Sequence, residues 1–253
     1  MEQGVRKGCD KIKDQFVRRA ATFEASACWV KNKALLDIHS TLAGISKGQL
    51  VLEACCGTGV LGGRLAQAGA KVVGLDISLA MLKQAKKKLN YCVNGQAEYF
   101  PFPDNLFDVV VCRQAFHFLD ISRAVQEMAR ITKSGTGRII ISQIVPFGEA
   151  DRRWLSRIHQ KKQPQLRNFL NEQNLKDLLK SAGCRDVVLC EHCIEEPINH
   201  WLKDTFLPPA KIEEIKSMFL NAPRGYKTAH KTRCSNGDIF DTMRWVILRG
   251  KKA

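Results

Sequence analysis

Glu53, Gly57, Gly59, Gly62 and Asp76 are spaced so that together they can hold a nucleoside. They lie in the run LEACCGTGVLGGRLAQAGAKVVGLDIS, residues 52–78. The apolar stretch 49–53 reads as a short buried strand, the glycines as a tight turn, 60–68 as a helix and 71–75 as a second strand. Asp76 closes that second strand, 19 positions after Gly57. A carboxylate there can grip two ribose hydroxyls. The glycines let backbone approach the ligand closely.

Two ligands share this spacing. One is a dinucleotide, with its pyrophosphate on the helix N-terminus. The other is a nucleoside without phosphate. Glu53 separates them, because a pyrophosphate wants donors beside it and a carboxylate repels it. A nucleoside bearing an ammonium or a sulfonium gains from the same carboxylate.

The elements that must position these residues follow a βα rhythm. Residues 10–43 read mainly as helix. Strands are expected near 49–53, 71–75, 91–93, 109–112 and 138–143, with helices between them. The uninterrupted apolar strands suit burial on both faces. The expected fold is α/β: an open, mostly parallel, Rossmann-like sheet with helices on both faces and an antiparallel last strand, DTMRWVILR. Residues 1–44 are expected to form a helical lid. Residues 45–253 form the main domain, with helical insertions at about 146–170 and 195–235 that lack sheet partners.

The chain has 253 residues and a net charge of +15. Arg152, Arg153, Arg157, Lys161, Lys162 and Arg167 fall in one acid-free stretch, and Arg224, Lys227, Lys231 and Arg233 in another. Such surfaces attract anions: nucleic acid, an acidic carrier protein, or a phosphorylated or carboxylated metabolite. No apolar run is long enough to span a membrane, and MEQGVRKGCDKIKDQF lacks the apolar region of a signal peptide, so a cytoplasmic location is expected. The 10 cysteines sit at strand ends and in apolar strands, which favours reduced thiols. Cys190-Glu191-His192-Cys193 hints at a metal, but no second pair at zinc spacing accompanies it. An ordinary strand with alternate residues in the core is expected there, and no metal.

Taken together, the motifs resemble those of class I S-adenosylmethionine-dependent methyltransferases, in the small-molecule branch that includes the ubiquinone and menaquinone C-methyltransferases. VLEACCGTG resembles the family's acid-x-Gly-x-Gly-x-Gly motif, with Cys55 in place of the first glycine. VVGLDIS, GQAEYFPFPDNLFDVVVCRQAFHFL and AVQEMARITKSGTGRIIIS resemble the later ones. Gln96 stands where an aspartate is usual, and Lys133-Ser134-Gly135 where Lys-Pro-Gly is. The likeness covers about 45–145, and ILRGK agrees with the last strand. It implies S-adenosylmethionine as cofactor. Glu53, Cys55, Gly57 and Gly59 would surround its methionyl part, and Asp76 would hold the ribose. Ile77 would lie on one adenine face, Gln96, Ala97 and Glu98 at the adenine edge, and the Arg113 backbone beside the sulfonium.

The implied reaction is methyl transfer to a small, anionic acceptor, free or carried on an acidic protein. A sulfonium is an activated donor, so alignment supplies much of the effect. A base is needed only if the acceptor must lose a proton. His117 and His230 are the catalytic candidates, with His159 and His200 behind them. Trp29, Trp154 and Trp201 are candidate pocket walls, and Phe16, Phe23 and Trp29 candidate lid contacts. Three other readings share the fold: a nucleic-acid methyltransferase, a nicotinamide oxidoreductase, and a binding protein without chemistry. The first lacks support from any stacking stripe or any Asn/Asp-Pro-Pro-aromatic motif, since CRQAFHF stands at that position.

Overall fold

The computed structural model describes residues 2–203 and 205–253, with side chains from Asp10 onward. Helix α1 (Glu2–Arg19) leads through a single 3-10 turn (Phe23–Ala25) to α2 (Lys33–Ala43). Asn32 starts α2 by accepting the Leu35 amide at 2.8 Å, and Gly44, with φ 51°, ends it. Then β1 (Leu50–Ala54), α3 (Val60–Gln67), β2 (Lys71–Asp76), α4 (Leu79–Ala85) and β3 (Tyr91–Asn94) alternate. The pattern continues with β4 (Val109–Arg113), a 3-10 turn (Phe116–Phe118), α5 (Ile121–Ile131) and β5 (Arg138–Val145). After it come α6 (Glu149–Lys162), α7 (Glu172–Ser181) and β6 (Cys184–Pro197). The remaining elements are α8 (Ile198–Leu202), α9 (Pro209–Leu220), α10 (Arg224–His230), β7 (Arg233–Ser235) and β8 (Asp238–Lys252).

The strands form one sheet in the order β3-β2-β1-β4-β5-β8-β6, with β7 also on β8. Strands β1 to β5 are parallel. Strand β8 runs antiparallel to β5, and β6 and β7 antiparallel to β8. Successive side chains point to opposite faces, which builds two cores. Val51, Val72, Val111, Ile140 and Ile247 meet Leu35, Leu61 and Leu65 on one side. Leu52, Leu75, Val110, Ile141 and Leu248 meet Val125, Met128, Leu175 and Leu179 on the other. The open, mostly parallel sheet with helices on both faces matches the expected architecture.

Three features differ from the sequence reading. Helix α2, expected in the lid, covers the sheet: His39 takes a 2.7 Å bond from the Ser142 hydroxyl on β5, and its Nδ1 donates to the Leu35 carbonyl. Apolar Leu35, Leu42 and Ala43 hold it there. Strand β8 is longer than the apolar run 241–249, because its flanking polar residues still pair with β5, β6 and β7. The 195–235 insertion therefore has sheet partners at both ends.

The chain leaves β1 toward β2 and β3 on one side, then returns to place β4 on the other. The carboxyl ends of β1 and β4 thus form the switch point at which open α/β sheets bind ligands.

Candidate functional site

A crevice opens at this switch point, lined by the β1, β2 and β4 ends and roofed by α1 and the turn after it. The chain leaving β1 bends sharply. Cys55, Gly57 and Gly59 all have left-handed backbones, with φ of 55°, 53° and 72°. Cys55 occupies a conformation that costs a non-glycine residue about 1–2 kcal/mol. A thiol–thiol contact with Cys112, reinforced by burial, pushes Cys55 well above the ordinary thiol range.

Glu53 is buried at the β1 end, and its Oε2 accepts the Gly62 amide at 2.8 Å. Gly62 lies in the first turn of α3. A Cβ there would stand 2.6 Å from that same oxygen, so the contact requires glycine. The carboxylate thereby takes the seat on the helix N-terminus that a pyrophosphate would need. Burial pushes Glu53 up to about 7, against the pull of Arg113 and the Gly62 amide. Asp76 closes β2. Its Oδ2 accepts the Gly57 amide at 2.8 Å and its Oδ1 the Ser78 amide at 2.9 Å. Each oxygen keeps further lone-pair capacity. Burial raises Asp76, and these amides hold it down.

Ile77, Gln96, Ala97 and Glu98 line the same side of the crevice. Glu98 also accepts the Asp120 amide at 3.0 Å, which ties this wall to the start of α5. The Arg113 guanidinium lines the crevice but does not stand free in it. It lies 4.9 Å from the Trp29 ring centre, and its Nη1 donates to the Val30 carbonyl at 3.4 Å. Burial lowers it to about 10, with Glu53 opposing. These residues fit a nucleoside whose far end is cationic.

The other half of the crevice is aromatic and basic. Phe16, Phe23, Trp29, Phe118 and Trp201 wall it. Phe16 packs edge-on against Phe118 at 5.5 Å, and Phe23 against Trp29 at 6.0 Å. His117 is buried on the 3-10 turn, where its Nδ1 accepts the Gln143 amide nitrogen at 2.6 Å. Burial lowers it to about 3, so it is neutral near pH 7. His159 is lowered to about 3 by burial and by Lys162, and its buried Nε2 has no partner. Lys162 is buried with its Nζ 3.5 Å from the Trp201 ring centre. Burial and the nearby Arg19 hold Lys162 well below the ordinary lysine range.

Comparison with known proteins places this crevice in context. Residues 52–141 match the family described as "Methyltransferase domain". Demethylmenaquinone methyltransferase of Renibacterium salmoninarum is 37% identical over 106 residues, 40% of this chain and 43% of that protein. The chain thus spans less than half the length of that curated relative. The YcgJ protein of Bacillus subtilis superposes with a TM-score of 0.78 at 19% identity, covering 86% of this chain and 98% of that one. Phosphoethanolamine N-methyltransferase 2 of Haemonchus contortus, solved with S-adenosyl-L-methionine, gives a TM-score of 0.58 at 19% identity, over 88% of this chain and 52% of that one.

The matched segment and the elements around it bring together most, but not all, of the expected residues. Glu53, Cys55, Gly57, Asp76, Ile77, Gln96, Ala97, Glu98, Arg113 and His117 line the crevice, and Gly59 caps α3 behind it. His230 does not reach it. It is fully buried between Asp151, at 2.8 Å from Nε2, and Asp241, at 3.2 Å from Nδ1, with its Nδ1 donating to the Thr242 carbonyl and its ring stacked on Tyr226. Burial alone would lower it, but the two aspartates raise it. It fixes α10 to the start of α6 and to β8.

Trp154 also turns away, donating to the Met218 carbonyl at 3.1 Å. Arg152 pairs with Glu149, and Arg153 is exposed, so neither lines the crevice. The residues that sequence reasoning missed are Arg19 and the inward role of Lys162. The signal for Lys162 was available in helical phase: Leu155, Ile158, His159 and Lys162 share the buried face of α6. Cys190 packs against the core, whereas Cys193 is exposed three residues along the same strand, so they do not converge.

Proposed function

We propose that this chain uses S-adenosylmethionine to methylate a small acceptor that carries an anionic group. The observation that carries the reading is Glu53 on the Gly62 amide. It fills the anion seat of α3 with a carboxylate that favours a cationic ligand beside it. S-adenosylmethionine supplies a methyl group already activated on a sulfonium. The chain's own part is then to bind, align and exclude water. Asp76 takes the ribose hydroxyls, Ile77 and Gln96 flank the adenine, and the Phe16–Phe23–Trp29 wall keeps the crevice dry.

The acceptor lies in the basic half, with its anionic group near Lys162 and Arg19. The curated relative acts on demethylmenaquinone. The aromatic walls suit a flat ring of that kind, and a carboxylate or phosphate on it would favour the protonated form of Lys162 beside Trp201. If the acceptor must lose a proton, His159 is the better base, because its Nε2 is uncommitted whereas His117 holds Gln143. Among the described residues no helix is long and apolar enough to cross a membrane. We place the enzyme in the cytoplasm, in keeping with nine free cysteines among those residues.

A labelled-methyl assay against host metabolite extract, with product identification, tests the reading. An anionic methylated product is expected. Absence of any labelled product, together with no calorimetric binding of S-adenosylmethionine, would overturn it.

A further inference from the structure

Cys28, Glu196 and His200 converge outside the crevice, on the seam between the lid and the acceptor-side wall. Cys28 follows the 3-10 turn, Glu196 is the last residue but one of β6 and His200 lies on α8. The His200 Nε2 stands 2.7 Å from the Ala25 carbonyl, and only a protonated nitrogen can bond there. In the neutral ring this leaves the Nδ1 lone pair facing Glu196 Oε1 at 3.0 Å and Cys28 Sγ at 3.5 Å. Three candidate ligand atoms thus lie within 4.8 Å of one another.

The distances suit a tetrahedral metal. With Zn–S of about 2.3 Å and Zn–N of about 2.0–2.1 Å, tetrahedral ligands lie about 3.5 Å apart. The Cys28–His200 separation equals that edge, and the histidine–carboxylate edge is somewhat shorter. The remaining features agree. A ligating histidine usually commits its other nitrogen to a carbonyl, as His200 does to Ala25. The Glu196 carboxylate is buried and also accepts the Cys28 amide at 3.1 Å, which fixes its orientation. The His200 side chain is 33% exposed, which leaves a fourth position open to water.

We propose that Cys28, Glu196 and His200 form a zinc-type divalent cation site that clasps the lid to the acceptor-side wall. Neighbours of the ligands on both sides, Ala27, Trp29 and Trp201, line the crevice. An ion at this seam would hold those walls at a fixed spacing. The site stands apart from the nucleoside crevice and does not depend on methyl transfer.

The test uses chelator-stripped protein titrated with cobalt(II), with zinc(II) as competitor. One equivalent of cobalt should bind, with a thiolate-to-cobalt charge-transfer band and the intense visible bands of tetrahedral cobalt. Zinc should bleach both. Cys28→Ser should lose the charge-transfer band, and His200→Ala should bind at least tenfold more weakly. The double variant Cys190→Ser with Cys193→Ser should match wild type. A wild-type protein without the band, or a Cys28→Ser protein that keeps it, would overturn the site. Should Cys28→Ser fail to fold, His200→Ala decides, since unchanged cobalt affinity there is equally fatal.

Discussion

Asp76 and Glu53 sit at neighbouring strand ends, and in the proposed reading they answer to different parts of the ligand. Asp76→Ala removes the acceptor for two backbone amides and for the proposed ribose hydroxyls. Bonds to charged groups contribute about 1.5–3 kcal/mol each. A loss of at least tenfold in S-adenosylmethionine affinity is expected by calorimetry, and an unchanged dissociation constant would defeat the assignment. With Glu53 in its proposed role, binding should depend on pH. A cation binds its ionised form, and burial has raised it to about 7. Affinity should therefore rise as pH climbs through about 7, with a proton released on binding below that value. The slope should vanish in Glu53→Gln. Both carboxylates were legible in the sequence, because strand–turn spacing fixes where they stand. His230 was not, because its role comes from Asp151 and Asp241, which are 79 and 11 residues away in the chain. His230→Ala leaves those two acids buried without their shared cation. A loss of about 3–5 kcal/mol in unfolding free energy is expected from denaturant titration.

Helix α6 shows what a charge count omits. Past Asp151 its charged side chains are all basic, starting with Arg152 and Arg153, and the block alone does not say which of them face the crevice. The helix turns those two outward and brings His159 and Lys162 to the crevice, because Leu155 and Ile158 must face the core. Phase, not charge, selects the residues that matter. Lys162→Met should raise the acceptor KM while leaving the S-adenosylmethionine dissociation constant within about twofold. Arg152→Ala combined with Arg153→Ala should change neither, and equal losses in all variants would count against the placement. The other elements were largely readable. Uninterrupted apolar strands, with helices alternating between them, were readable in both type and place. Helix α2 was harder, since its apolar stripe fits a lid as well as a sheet cover. The His39–Ser142 contact, together with Leu35, Leu42 and Ala43 in the sheet's core, separates the two.

The whole molecule carries a net charge of +15, and an anionic acceptor feels all of it. Raising ionic strength should lower kcat/KM for such an acceptor while barely altering cofactor affinity, because screening acts on the long-range field more than on buried contacts. A salt-independent kcat/KM would argue for a neutral acceptor. The sheet order has a different consequence. Strand β6 touches the sheet only through β8, which itself lies beside β5 although 92 residues separate the end of one from the start of the other (238 − 145 = 93 positions). Until β8 arrives, β5 keeps a bare parallel edge and β6 has nowhere to dock. The β6–β8 ribbon must therefore close the sheet late and as a unit, through contacts of long sequence separation. During that interval the exposed β5 backbone is a template for other chains. Refolding yield should fall with protein concentration for this reason, and chaperone demand in the cell would trace to one unfinished seam.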